Sequence, residues 1–176
     1  MHSGPELQSE ILREFLREIL RLAPLAFTSA AMIETKPNPA ETRTGGCHCG
    51  AVRFSVDLPE GWYALRCNCT LCSMKGNVMI DVPLDALTIT RGQDELTLYT
   101  FGTHQAKHHF CRHCGIHPFH QLRSNPQEYG INAVCIDGMS PYDFAELPVY
   151  DGAHHPGDNG GAVRWAGKLV FVPESD

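Results

Sequence analysis

No run of lysine or arginine stands out in this chain. Its 14 basic residues are scattered, 20 acidic residues outnumber them, and the formal net charge is −6. Phosphate backbones are held by clustered basic side chains, so this balance argues against a general nucleic-acid surface, and no nucleic-acid partner is expected. No apolar stretch approaches the roughly 20 residues that cross a bilayer, so no membrane partner is expected either. A secretory signal is missing: Glu14, Arg17, Glu18 and Arg21 interrupt what would have to be its apolar core. The expected compartment is therefore the cytoplasm. Internal repeats and low-complexity tracts are also absent. What remains, at 176 residues with 43% hydrophobic and 19% charged residues, is a globular chain with length for one core and hardly for two.

Cysteine, by contrast, is plentiful and clustered. Eight are present, and seven fall into three short motifs: Cys47-His48-Cys49, Cys67-Asn68-Cys69-Thr70-Leu71-Cys72 and Cys111-Arg112-His113-Cys114. In a reducing compartment such close pairs read as metal ligands and not as disulfides. Seven divides as four plus three. Four thiolates close a tetrahedral zinc site, which is structural, whereas three leave a corner open for substrate or water. Two zinc ions per chain are expected. Spacing leaves the pairing open: Cys47 and Cys49 with Cys111 and Cys114 is one solution. A ribbon of Cys69, Cys72, Cys111 and Cys114, leaving Cys47, Cys49 and Cys67, is the other. Glycines around Cys47 and Cys49 permit a bent backbone, and Gly115 suits the positive φ of a knuckle turn.

In chain order, residues 5–22 have an amphipathic helical period, with Ile11, Leu12, Phe15, Leu16, Ile19 and Leu20 on one stripe. The expected organisation is an N-terminal helix and linker over 1–44 and a zinc-binding domain over 45–176. The helix would dock on the domain or on a second copy of the chain, a route to a homo-oligomer. The turn-rich stretch 33–46 reads as linker. Short strands are then expected at Ala51–Asp57, Trp62–Arg66, Asn77–Val82, Leu87–Thr90, Leu96–Phe101, Tyr129–Ile136 and Lys168–Val172, with proline punctuating the second half against helices. The expected fold class is all-β with one leading helix.

The motifs carry a resemblance. Gly-Gly-Cys-His-Cys-Gly-Ala-Val at 45–52, Cys-Asn-Cys-Thr-Leu-Cys at 67–72 and Phe-Cys-Arg-His-Cys-Gly at 110–115 resemble the three signatures of the glutathione-dependent formaldehyde-activating enzyme family. Tyr99–Lys107 and Arg123-Ser124-Asn125-Pro126 are similar to its branch containing centromere protein V. The likeness runs from about Gly45 to about Asp137. It implies a β-tent fold of two antiparallel sheets pinned by a structural zinc on Cys47, Cys49, Cys111 and Cys114. A second, open zinc on Cys67, Cys69 and Cys72 would carry catalysis. The implied activity is that of a carbon–sulfur lyase of the S-(hydroxymethyl)glutathione synthase type, joining or releasing formaldehyde at a small thiol such as glutathione. Asn68 departs from the His that many family enzymes have there. The rival reading is a non-catalytic zinc-binding interaction module on the same scaffold.

Other residues are assigned more modest places. Six histidines lie between His104 and His120, namely His104, His108, His109, His113, His117 and His120. One of them is a candidate acid or fourth ligand. His48 and His113 are expected to face solvent, and Cys135 to be a buried strand residue. Arg123 and Lys107 read as surface charge with some attraction for carboxylates. Trp62 and Trp165 are expected in the core.

Overall fold

A computed structural model describes residues 37–174. The helix expected at 5–22 lies outside those residues. The described chain is mainly β. Strands β1 (Glu41–Gly46), β2 (Arg53–Leu58) and β5 (Leu87–Arg91) form a three-stranded sheet in the order β1-β2-β5. The second sheet has eight strands. They are β3 (Ala64–Cys67), β4 (Met79–Pro83), β6 (Leu96–Tyr99), β7 (Lys107–Cys111), β8 (Phe119–Gln121), β9 (Glu128–Asn132), β10 (Glu146–Tyr150) and β11 (Trp165–Val170). Their order is β11-β10-β3-β4-β9-β8-β7-β6. One short helix, α1 (Thr70–Lys75), interrupts the strands.

The core lies between the sheets and follows from strand alternation, since successive side chains point to opposite faces. In β2, Phe54, Val56 and Leu58 are buried while Arg53, Ser55 and Asp57 face away. They meet Ala64, Ile80, Val82, Phe119 and Ile131 from the large sheet. Each such fully buried side chain contributes about 1.5–3 kcal/mol relative to exposure. The alternate positions of the large sheet lie on its other face. Leu65 and Met79 pack there with Cys72, and Asp81 and His120 line the cavity described below.

Several expectations are corrected. Residues 41–46, read as linker, form β1, because a full register from Glu41↔Leu58 to Gly46↔Arg53 satisfies their backbone groups. Tyr129–Ile136 is strand only to Asn132; Ala133–Cys135 is a 3-10 turn, so Cys135 is buried but not on a strand. The last strand starts at Trp165, and β1, β7, β8 and β10 were not expected. The sheets are not wholly antiparallel, because β10 runs parallel to β3. Trp62 packs partly against the core, but Trp165 is half exposed and meets Tyr150 edge-on, outside the core. Among the described residues no helix is long and apolar enough to cross a membrane.

Candidate functional site

Cys47 directly follows β1 and opens the turn, Cys49 sits within that β1–β2 connection, Cys111 closes β7, and Cys114 lies in the turn after it. Their four sulfurs lie within 4.8 Å of one another. Cys47 Sγ is 3.6 Å from Cys49 Sγ, which is 3.7 Å from Cys111 Sγ. Those separations are far too long for disulfides. They match zinc instead: four Zn–S bonds of about 2.3 Å to tetrahedral corners place sulfurs about 3.8 Å apart. The local fold supports charge on sulfur. Burial pushes the Cys47 thiol up, but the Val52 N–H, 3.3 Å from its Sγ, and the neighbouring thiols bring it below its ordinary value. Gly115 adopts φ 72°, the left-handed turn anticipated for the knuckle. His48 and His113 face solvent, His113 Nε2 lying 2.6 Å from Glu95 Oε2. The cluster joins the small sheet, through the β1–β2 turn, to the large sheet at β7.

The second trio is built by a strand end and a helix start. Cys67 is the last residue of β3, Cys69 caps α1, accepting from the Cys72 N–H at 3.5 Å, and Cys72 is buried in the helix. Gly76, at φ 67°, ends α1 by donating its N–H to the carbonyls of Cys72 and Ser73. The three sulfurs lie within 4.8 Å of one another, and among the described residues no His, Asp or Glu joins them as a fourth ligand. Their electrostatics are those of an incomplete charge set. Hydrogen bonds from Cys67 and then Cys72 pull Cys69 down to about 2, whereas Cys69 pushes Cys67 up to about 11. Cys72 is driven upward by Cys67, Cys69 and burial. One thiolate is welcome there. Three would repel strongly without a cation between them.

Two features hold this loop. The Asn68 side chain donates to Asp151 Oδ1 at 3.0 Å and accepts from the Ala153 N–H at 2.8 Å, so it fastens the cysteine loop to residues 151–153. Between those anchors sits Gly152, where a Cβ would stand 2.3 Å from Cys67 Sγ and 3.1 Å from Cys69 Cβ. Gly152→Ala should therefore displace the Cys67 sulfur at a cost of about 1–3 kcal/mol. Zinc release to a competing chelator should quicken by at least about tenfold for one equivalent only; unchanged release from both thiolate sets would refute this contact.

The trio forms part of the wall of a cavity of about 610 Å³ on the outward face of the large sheet. Phe101, Leu122 and Trp165 give it apolar surface, and Asp81, His108, His120, Tyr150 and Arg123 bring polar groups to it. Arg123 is held bidentately by Asp158, at 2.8 and 2.5 Å, so its charge is already met. Lys107 is exposed on β7. Tyr150 pairs with Cys67 across β10 and β3, and its hydroxyl is buried with no partner among the described residues. Burial, then Cys67, raises that phenol above its ordinary range.

Asp81, not singled out in the sequence, has a buried Oδ1 with no partner among the described residues. Burial, then the charge of Glu128, raises its carboxyl from 3.8 to about 7. An acid in a strand that otherwise reads as apolar, Met-Ile-Asp-Val, was the available signal. The stability consequence has a definite sign. The folded state favours the protonated acid, so the contribution is intact below pH 3.8 and is lost as pH rises through about 7. The interval corresponds to about 4 kcal/mol as a ceiling. Asp81→Asn should melt like the native protein near pH 4 and be more stable by about 2–4 kcal/mol at pH 8. Equal melting temperatures at pH 8 would refute the shift.

The sequence model described as glutathione-dependent formaldehyde-activating enzyme matches residues 42–146. A curated protein of Halomonas elongata, given that same description provisionally, is 35% identical over 78 residues, 40% of this chain and 50% of the relative. The chain thus spans about half the length of the curated relative it matches. A crystal structure of a Rhodobacter sphaeroides protein is 48% identical and superposes with a TM-score of 0.58, covering 60% of this chain and 98% of that one.

Proposed function

This chain belongs to the glutathione-dependent formaldehyde-activating enzyme family, and from that premise we propose that it is a carbon–sulfur lyase joining formaldehyde to, or releasing it from, a small thiol such as glutathione. The observation that carries this reading is the three-sulfur cluster, without a fourth ligand among the described residues, set in the wall of a cavity. Zinc bound by Cys67, Cys69 and Cys72 would offer its remaining position to the substrate sulfur and favour the thiolate near neutral pH. Cys47, Cys49, Cys111 and Cys114 would hold a second zinc whose role is to fasten the two sheets. A cytoplasmic location, where thiols stay reduced, suits both sets.

In the synthetic direction a carbon–sulfur bond forms, the carbonyl π pair moves to oxygen, and that oxygen takes a proton. The chain supplies groups for the last two events. Tyr150 lines the cavity beside Cys67, and its buried hydroxyl, unpartnered among the described residues, donates a hydrogen bond to the developing oxyanion once the side chain turns toward the cavity. Asp81, protonated up to about pH 7, is the acid matched to neutral operation. Phe101, Leu122 and Trp165 limit water around the reacting carbon. Asn68 takes no proton in this scheme and acts by holding the cysteine loop against residues 151–153.

The test is the rate of S-hydroxymethylglutathione formation, followed by exchange NMR against the uncatalysed reaction. Acceleration that falls as pH rises through about 7, and that drops by about 10²-fold or more in Asp81→Asn, is the expected result. A zinc-loaded chain giving only the background rate would overturn the proposal and favour the interaction-module reading.

A further inference from the structure

The outward face of the large sheet carries a second buried constellation, separate from the sulfurs. His108 on β7, His120 on β8 and His117 just before β8 are 5%, 8% and 4% exposed in the order His108, His117, His120. Their rings gather with centroids 5.8 Å apart for His108–His117, 5.1 Å for His108–His120 and 5.5 Å for His117–His120. One ring nitrogen from each lies within 4.8 Å of the other two. Each ring also has a buried nitrogen with no hydrogen-bond partner among the described residues: Nε2 of His108, Nε2 of His117 and Nδ1 of His120. Leaving one such group unsatisfied costs about 1–3 kcal/mol. Three in one place call for a common partner.

We propose that His108, His117 and His120 form a third metal site, distinct from both cysteine clusters, which takes a zinc-like divalent cation and leaves it an open position toward the cavity. This goes beyond the functional proposal and does not depend on it. The chemistry of the donors fits. Three neutral imidazoles suit zinc, copper or nickel, and three protein ligands are the number that leaves a position free. Bonds of about 2.0 Å to tetrahedral corners bring ligand nitrogens to about 3.3 Å, so the three rings, whose nitrogens lie within 4.8 Å, draw closer on binding.

The surroundings fit as well. The ring nitrogen opposite the orphan is already engaged in two of the three: His108 Nδ1 lies 3.0 Å from Lys75 Nζ, and His117 Nδ1 lies 3.3 Å from the Asn77 amide. Ligation through Nε2 puts the ring proton on Nδ1, so a bound cation requires the Asn77 amide to turn its oxygen to His117 and Lys75 to be the neutral amine, toward which burial already lowers it, to about 8. His120 rests over Gly130, where a Cβ would stand 2.8 Å from its Cε1, so the absent side chain leaves room for the ring. Burial, with Lys75 or a neighbouring ring, keeps all three neutral: His108 to about 4, His120 to about 3 and His117 to about 2. The Lys75 ammonium opposes another cation here, and the Cys69 thiolate, felt at both His108 and His120, attracts one. His108 and His120 both line the cavity, which gives a bound ion its open side.

The experiment is metal stoichiometry on the full chain, with zinc measured by mass spectrometry after equilibrium dialysis and cobalt(II) as the spectroscopic probe. Three equivalents are expected. The third cobalt should add visible ligand-field absorption without the near-ultraviolet thiolate charge transfer of the first two. His117→Gln and His120→Phe should each lose that one equivalent and keep the thiolate bands, which also report that the variant is folded. Saturation at two equivalents, a third equivalent bearing a thiolate band, or its persistence in both variants would each overturn the site. A chain that binds three ions but does not accelerate adduct formation would uphold this site while refuting the proposed activity.

Discussion

Cys111→Ser should abolish cooperative folding, the largest effect expected of any single substitution in this chain. Cys111 is 0% exposed and lies with Cys47, Val52 and Leu96 in a small cluster of its own. Its sulfur shares a site with Cys49, 62 residues away, so the metal proposed there closes a long loop between the β1–β2 turn and β7. Apparent binding energies of structural zinc in small domains are about 10–16 kcal/mol, and whole domains are stable by only about 5–15 kcal/mol. A change that removes the ion removes stability of the same order. The variant would lack a cooperative melting transition by circular dichroism. Cys135→Ala supplies the contrast. Cys135 is also buried but joins no sulfur cluster among the described residues, so a loss of only about 1–2 kcal/mol is expected. A Cys111→Ser melt within a few degrees of the native curve would refute a structural role for the four-sulfur site.

The second large effect is on chemistry and not on folding. Cys69→Ser should lower the rate of adduct formation by more than about 100-fold, beyond what loss of a mere supporting partner costs. Cys69 is the trio's most acidic thiol, and it accepts the N–H of Cys72 at the start of α1. Its replacement removes the charge around which Cys67 and Cys72 are arranged. The trio packs with Leu65, Met79 and Tyr150 on the outward face of the large sheet, away from the main core. Zinc content should accordingly fall by one equivalent while the melting transition persists. Activity within tenfold of native, with that equivalent lost, would show that the cavity works without the trio, and the proposed role of the sulfurs would fail.

The two substitutions act so differently because the sheet has two faces. Ile80 and Val82 face the small sheet, while Met79 and Asp81 of the same strand face the cavity. Likewise Phe119 enters the core and His120 the cavity. One strand thus serves stability and the site by simple alternation. The cost of this arrangement is visible in Asp81, a carboxyl held near pH 7 by burial. Asp81→Asn is expected to gain stability at pH 8 and lose activity, the exchange common at sites where function needs an unfavourable group.

Much was legible in the sequence because the informative signals are local. Phe54 and Val56 alternate within β2, Val52 stands just before it in the same period, and all three are fully buried. Cys-x-Cys and Cys-x-x-Cys place two sulfurs within reach of one ion through a handful of backbone angles, so the motifs themselves mark donors. The division into four and three follows from counting. The six clustered histidines and the glycine turn at Gly115 are visible in the same way. Strands β1, β7, β8 and β10 were not, since Lys-His-His-Phe-Cys and Phe-His-Gln carry little strand pattern. Each is specified by the neighbour that receives its hydrogen bonds.

By itself, then, the sequence determined the β class, the three ligand motifs and the family they resemble, all of which rest on contacts between residues near in the chain. Only the tertiary structure decided which motifs meet. The resemblance implied that Cys47 and Cys49 group with Cys111 and Cys114, but spacing left the ribbon pairing open until the β1–β2 turn and the end of β7 came together. The same holds for Tyr150 beside Cys67, Gly152 against its sulfur, and three histidines from two strands and the loop between them gathered together, His120 over Gly130. The physical reason is common to all of them. A strand's partner is chosen by the burial and hydrogen bonding of the whole sheet, and no short spacing records that choice.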